Sequence, residues 1–159
     1  MPENGHFEKV LAHAEASLIP LRREVKDHAA LLQLYRKFLK KENHRIRLLH
    51  KQGAGGVEVA QSRAVLLDVV INDLFAAAME RRASGNGQDA GLSLSAHPLT
   101  LVASGGYGRG VLNPGSDIDL LFLLPGQENA VTEEVNEIVS QILLMLYDVG
   151  FKVGHAVRT

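Results

Sequence analysis

Two carboxylates, Asp117 and Asp119, lie two positions apart in the run Ser116-Asp117-Ile118-Asp119-Leu120-Leu121-Phe122-Leu123-Leu124. The apolar residues around them predict a strand over 117–124. The two-residue period of a strand sends both carboxylates to one face while Ile118 and Leu120 face the core. Adjacent carboxylates repel, and each raises the other's affinity for a proton unless a cation lies between them. Magnesium suits such a pair, because it takes hard oxygen ligands, keeps several waters and is commonly held by one or two carboxylates together with substrate phosphate oxygens. An isolated Asp-x-Asp also occurs on solvated strand faces, so its surroundings decide the chemistry.

Those surroundings are Gly105-Gly106-Tyr107-Gly108-Arg109-Gly110, directly after an apolar stretch that predicts a buried strand over 99–104. Glycines that follow a strand let backbone N–H groups approach and cradle a phosphate. A helix starting there would add its dipole. Glycine clusters of this kind also make plain tight turns and dinucleotide-binding loops, and spacing separates the readings. The pattern is Gly-x-Gly-x-Gly rather than the dinucleotide fingerprint. Only six residues separate Gly110 from Asp117, fewer than the crossover helix of about ten residues that a dinucleotide fold requires. No Gly-Lys-Ser or Gly-Lys-Thr follows the glycines, which excludes a Walker phosphate loop.

A Gly-Gly pair, ten intervening residues and Asp117-Ile118-Asp119-Leu120 closely resemble the signature of the DNA polymerase beta type nucleotidyltransferase superfamily. Within it, GGYGRG followed by SDIDLL resembles most the N-terminal catalytic domain of the protein-PII uridylyltransferase and uridylyl-removing enzymes, a bifunctional family of nitrogen signalling. The resemblance covers 99–159 and, more loosely, the helical stretch containing Lys51-Gln52-Gly53-Ala54-Gly55-Gly56. It implies that Gly105 and Gly106 hold the nucleoside triphosphate and that Asp117 and Asp119 are the catalytic carboxylates and bind Mg2+. It also implies that Ser116 contacts phosphate or steadies the carboxylate loop, and that Arg109 counters triphosphate charge. In such an enzyme two metals activate an acceptor hydroxyl and stabilise the leaving pyrophosphate during in-line attack on the alpha-phosphorus of UTP. The acceptor implied is a tyrosine of a PII-type signalling protein. Read from residues alone, Arg109 serves equally as a surface charge, Ser116 as a turn or capping hydroxyl and Tyr107 as packing.

The superfamily generally uses a third carboxylate on a neighbouring strand. The strand expected over 151–157 contains no Asp or Glu, and none follows before Thr159. The expectation is therefore a truncated nucleotidyltransferase fold whose third acid lies beyond Thr159. The alternative places His155 in that neighbourhood, although neutral imidazole is a poor magnesium ligand and a packed or solvated histidine is the more ordinary reading. In the resembling enzymes uridylyl removal and glutamine sensing belong to later domains, so neither is expected here. Two rival functions share the same glycines and carboxylates. One is nucleotidyl transfer to a small molecule or an RNA end, and the other is a nucleotide-binding or interaction module without catalysis.

The elements that must position these groups are legible as periodicities. Leu21, Val25, His28, Leu32, Tyr35, Leu39, Glu42, Ile46 and Leu49 alternate steps of four and three, which predicts one long amphipathic helix. A second stripe runs through Val57, Ala60, Ala64, Leu67, Ile71, Leu74 and Ala78. Gly53-Ala54-Gly55-Gly56 lies between two helical stripes rather than after a strand, so it reads as the turn of an antiparallel hairpin and not as a phosphate loop. A shorter helix is expected over 6–17, stopped by Pro20. The glycine-rich segment 84–98 reads as a surface loop, His97-Pro98 imposes extended geometry before the first strand, and a helix is expected over 131–149. The fold class is α+β: a helical N-terminal region over 1–83, a loop over 84–98, and a nucleotidyltransferase core over 99–159 made of a small mixed sheet with flanking helices.

Bulk properties agree with this organisation. The 159 residues, 46% of them hydrophobic, suffice for one core with an accessory helical element. The chain has no cysteine, which removes disulfides, Cys-based zinc sites and thiol nucleophiles. The N-terminus has no export signal and no run approaches the roughly 18 apolar residues of a membrane span, so a soluble, cytoplasmic protein is expected. The formal charge of -1 gives no footprint for nucleic acid. Ten of the seventeen basic residues nevertheless lie between Arg22 and Lys51, against the acids Glu24, Asp27 and Glu42. That stretch either steers an acidic protein, a triphosphate or a nucleic acid toward the site or is a solvated outer face.

Overall fold

The structure, a computed structural model, describes residues 5–25, 27–85, 99–126 and 131–159. Four helices come first: α1 (Gly5–Ser17), α2 (Ile19–Glu24), α3 (His28–Lys51) and α4 (Gly56–Gly85). They are followed by β1 (Thr100–Ser104), the single turn α5 (Gly105–Gly108), β2 (Ile118–Leu123), α6 (Glu133–Val149) and β3 (Val153–Arg158). The expected α+β class is what the chain adopts. Most of the expected loop, 86–98, with His97-Pro98, lies outside the described residues, and α4 itself continues to Gly85. No described helix is long and apolar enough to cross a membrane.

The helix expected over 21–49 is in fact two. Val25 is extended (φ -88°, ψ 127°), and the Asp27 side chain accepts a hydrogen bond from the Ala29 N–H at 3.2 Å, which caps the start of α3. An N-cap that satisfies an orphan donor outweighs the continuing apolar stripe. Pro20 does not simply end α1. It sits in the first turn of α2, where its missing N–H costs nothing and its fixed φ suits a helix start.

From α3, the residues Leu31, Tyr35, Phe38, Leu39, Glu42 and Ile46 are buried, and the chain turns at Gly53 (φ +104°) into α4. The middle of α4 is buried on several sides through Leu66, Leu67, Val69, Val70, Ile71 and Leu74. This is the pattern of a helix at the centre of a bundle rather than on its surface. The sheet has the order β1-β2-β3, with β1 antiparallel and β3 parallel to β2. The β2–β3 crossover is α6, which Thr132 caps at its start through the Val135 N–H. Gly150, left-handed at φ 111°, closes the other end by donating its N–H to the Leu146 and Tyr147 carbonyls. Ile118, Leu120 and Phe122 join one apolar core with the helices. Each such side chain, fully buried, contributes about 1.5–3 kcal/mol.

Buried polar groups tie the helices together. Arg22 Nε donates to Asp73 Oδ1 at 2.7 Å, Arg22 Nη1 donates to Glu80 Oε2 at 2.9 Å, and the Tyr35 hydroxyl donates to Asp73 Oδ2. Burial, helped by the neighbouring Asp73 carboxylate, pushes the Tyr35 phenol far above its usual value. Asp73→Ala leaves the Tyr35 phenol without its acceptor and the buried Arg22 guanidinium with the exposed Glu80 as its remaining partner, so unfolding in urea should show a loss of about 3 kcal/mol. A loss under about 1 kcal/mol would mean that Arg22 is not held by this carboxylate.

Candidate active site

Asp119 is built into the middle of the sheet. In the β1–β2 ladder it stands opposite Ser104, and in the β2–β3 ladder it stands opposite Gly154. Ile118 and Leu120 on either side of it are buried while Asp119 is half-exposed, so the expected alternation holds and its carboxylate is on the open face. A methyl group on Gly154 would come within 2.8 Å of Asp119 Oδ1, and one on Gly105 would overlap Asp119 Oδ2. The carboxylate therefore occupies a notch that exists because both of its neighbours lack side chains.

Gly105 has a second duty. At φ +62° it takes the left-handed conformation that lets the chain leave β1 and wind into α5. The turn then folds back so closely that a Cβ on Gly108 would lie 2.7 Å from the Ala103 carbonyl oxygen. Arg109 follows as the cap of this turn, its N–H shared between the Gly105 and Gly106 carbonyls. Its Nη2 lies 3.9 Å from where a Gly106 Cβ would be, so the guanidinium is alongside the glycine pair.

Two bonds pin the turn to α4. The buried Tyr107 donates its hydroxyl to Asp68 Oδ1 at 2.6 Å, and the Leu112 N–H donates to the Ala60 carbonyl at 3.0 Å. Burial, reinforced by the bond to Asp68, raises the Tyr107 phenol well above its ordinary range. Tyr107 is thus packing and anchor at once. Asp68, its partner 39 residues earlier, gave no local sign of that role in the sequence.

The path from the glycine turn to the carboxylates is a second turn, Asn113-Pro114-Gly115-Ser116. The Ser116 N–H donates to the Asn113 carbonyl at 3.0 Å and Gly115 has φ +78°. Proline followed by a positive-φ glycine at the two central positions is the type II pattern. It delivers Ser116 and Asp117, both exposed, to the start of β2, which begins at Ile118, one residue later than expected. The Ile118 N–H donates to the Lys152 carbonyl at 2.8 Å, fixing this entry against the residue before β3.

The structure thus brings Gly105, Gly106, Arg109, Ser116, Asp117 and Asp119 to one end of the sheet. It does not bring His155 to the carboxylates. His155 is level with Leu120 in the parallel ladder, so its Cβ belongs to the face opposite Asp119. Among the described residues neither Asp117 nor Asp119 makes an ion pair or a side-chain hydrogen bond. Two oxygen-donor groups without protein partners suit a hard cation that completes its shell with water and phosphate. Among the described residues no cluster of three or more His, Asp or Glu is placed to hold a metal ion.

A family model described as glutamate-ammonia ligase adenylyltransferase matches residues 3–143, which include the glycine turn and both carboxylates. A bifunctional uridylyltransferase/uridylyl-removing enzyme of a Bradyrhizobium species is 38% identical over 137 residues, 86% of this chain and 14% of that protein. Enzymes of the same description from Rhodopseudomonas palustris and Phenylobacterium zucineum are 42% and 40% identical over 104 and 109 residues. These matches take in 65% and 69% of this chain but 10% and 11% of those relatives. The chain therefore spans only about a seventh or less of the length of the curated relatives it matches. No solved structure matches it. With the family model matching most of its length and the glycine turn set beside a carboxylate strand, the chain belongs to the glutamate-ammonia ligase adenylyltransferase family and is a nucleotidyltransferase domain related to the uridylyltransferases.

Proposed function

We propose that this chain is the metal-dependent nucleotidyltransferase part of a protein that transfers UMP from UTP to a tyrosine of a PII-type signalling protein. The observation that carries the reading is the Asp119 carboxylate seated between Gly105 and Gly154, with Asp117 two residues before it. Gly105 and Gly106 open a helical turn, so their N–H groups have no intrahelical acceptor and are available to triphosphate oxygens. Arg109 adds positive charge beside them, and the Ser116 hydroxyl stands next to Asp117. Asp117 and Asp119 would hold Mg2+, within a two-metal site in the complete enzyme, which would neutralise the triphosphate and acidify the acceptor hydroxyl. The residues of the chain supply position: the notch aims a carboxylate, and the Tyr107–Asp68 bond holds the phosphate turn at a fixed distance from it.

The relatives' names support UTP as donor. The family model's name supports a second reading, in which the donor is ATP and the acceptor is glutamate-ammonia ligase. Pyrophosphate release separates them. UTP and ATP are each offered, with Mg2+, in the presence of a PII-type protein or of glutamate-ammonia ligase, to this chain and to a longer chain reaching beyond Thr159. Release from UTP with the PII-type protein is expected from the longer chain, and Mg2+-dependent UTP binding from both. No turnover of UTP by either chain sinks the leading reading, and turnover of ATP onto the ligase installs the second. Metal-dependent binding without any pyrophosphate release would leave a nucleotide-binding module.

A further inference from the structure

Next to the candidate active site, α3, α4, the 113–116 turn and the α6–β3 junction enclose a cleft of about 430 Å³. Its polar lining is Arg36, Lys40, Asn43, Arg63, Ser116 and Lys152, over an apolar base that includes Leu39 and Phe151. Among the described residues four cations line it and no carboxylate does. Of the acids around it, the Asp148 carboxylate bonds His28 at 2.8 Å and Glu42 is buried against His13 and Arg45, while Asp117, next to Ser116, has no protein partner among the described residues and is the carboxylate assigned above to the metal. Arg36 Nη2 donates to the Asp148 backbone carbonyl at 2.8 Å.

Arg63 is the residue that needs explaining. Its Nε is shielded from solvent and has no hydrogen-bond partner, and among the described residues no carboxylate pairs with its guanidinium. Burial alone lowers its proton affinity, with no neighbouring acid opposing the shift. The cavity on its other side, about 910 Å³, adds Arg47 and His50 and, among the described residues, again no acid. Arg63 as a whole is only partly buried, so its Nη groups remain open while the desolvation of Nε goes uncompensated by any acid, and an apolar side chain of similar volume at that position is expected to be neutral or stabilising. The guanidinium's forked donors match a tetrahedral oxyanion.

We infer that this cleft is an oxyanion site that takes a phosphate-type group, held by Arg63 and by Lys40, Lys152 and Arg36 at its rim. The Ser116 hydroxyl, one residue from Asp117, borders it, so the phosphate is either that of a nucleotide reaching over from the carboxylates or a free phosphate anion. The inference does not depend on metal binding at Asp117 and Asp119.

The test is calorimetric titration with inorganic pyrophosphate at low salt and without divalent metal. The chain should bind it, Arg63→Met should weaken binding by at least about tenfold, and the double variant Asp117→Asn with Asp119→Asn should bind it at least as tightly as the parent does, because it removes negative charge beside the anion. A melting temperature of Arg63→Met equal to or above the parent's is expected alongside. Should Arg63→Met not fold, Lys40→Gln with Lys152→Gln replaces it, again with a loss of at least about tenfold expected. Undiminished binding in the folded variant overturns the inference, and so does loss of pyrophosphate binding in the carboxylate variant. Mg2+-UTP added to the pyrophosphate-saturated protein then identifies the source: displacement of pyrophosphate assigns the cleft to the nucleotide's own phosphates, and simultaneous binding assigns it to a free phosphate anion.

Discussion

Asp117→Asn together with Asp119→Asn should abolish Mg2+-dependent binding of UTP, a loss of at least about 100-fold in affinity, while the folded chain stays as stable as before or becomes more so. The two halves of this result have one electrostatic origin. With no cation between them, neighbouring carboxylates on one strand edge repel, and neither is compensated by a protein cation or donor among the described residues. Amides of the same shape remove the repulsion but also remove the charge that a hard divalent ion requires. Titration of UTP with and without EDTA reads the first half, and thermal melts in metal-free buffer read the second. Asp119→Asn alone should do more damage than Asp117→Asn, because Asp119 is fixed in its notch whereas Asp117 is exposed at the strand entrance. Binding that stays metal-dependent and undiminished in the double variant would refute the metal assignment.

How far the site could be read in advance depends on the range of the interactions involved. Strand alternation placed Asp119 opposite Ile118 and Leu120, because period-two burial is a local property. The hairpin of α3 and α4 was legible for a similar reason, with the glycines at 53–56 marking its turn. The break at Val25 was not, since the apolar stripe continues through it and only the capping geometry of Asp27 reveals the interruption. Glu42 falls within an apolar stripe, and its burial is explained by His13, 29 residues away, together with Arg45 one turn further on. The Asp68–Tyr107 anchor and the Arg22–Asp73 pair join residues 39 and 51 positions apart, so no local pattern announces them. Arg63 lies one position before Ala64 of the second stripe, but its lack of an acidic partner is a property of the assembled fold. Gly154 looks like an ordinary strand glycine until pairing of β3 with β2 sets it opposite Asp119.

That last glycine offers a direct test of whether the aim of a carboxylate matters. Gly154→Ala should leave stability within about 1 kcal/mol of the parent, since Gly154 is not in the left-handed region and alanine is no worse than glycine in a strand. The added methyl would nevertheless lie 2.8 Å from Asp119 Oδ1, closer than a carbon and an oxygen can pack. The carboxylate is the movable party, so it turns out of the notch. Magnesium demands near-ideal ligand geometry, so a marked drop in Mg2+-dependent UTP affinity is expected. Gly105→Ala presses on the same carboxylate from the other side but also places a side chain at φ +62°, adding about 1–2 kcal/mol of backbone strain. It should therefore lower both binding and melting temperature, where Gly154→Ala lowers binding alone. If the effect acts through Asp119, adding Gly154→Ala to Asp119→Asn should change little further, a non-additivity that a double-mutant cycle measures. Parent-like binding by Gly154→Ala would show that the fixed orientation of Asp119 is not what the notch is for.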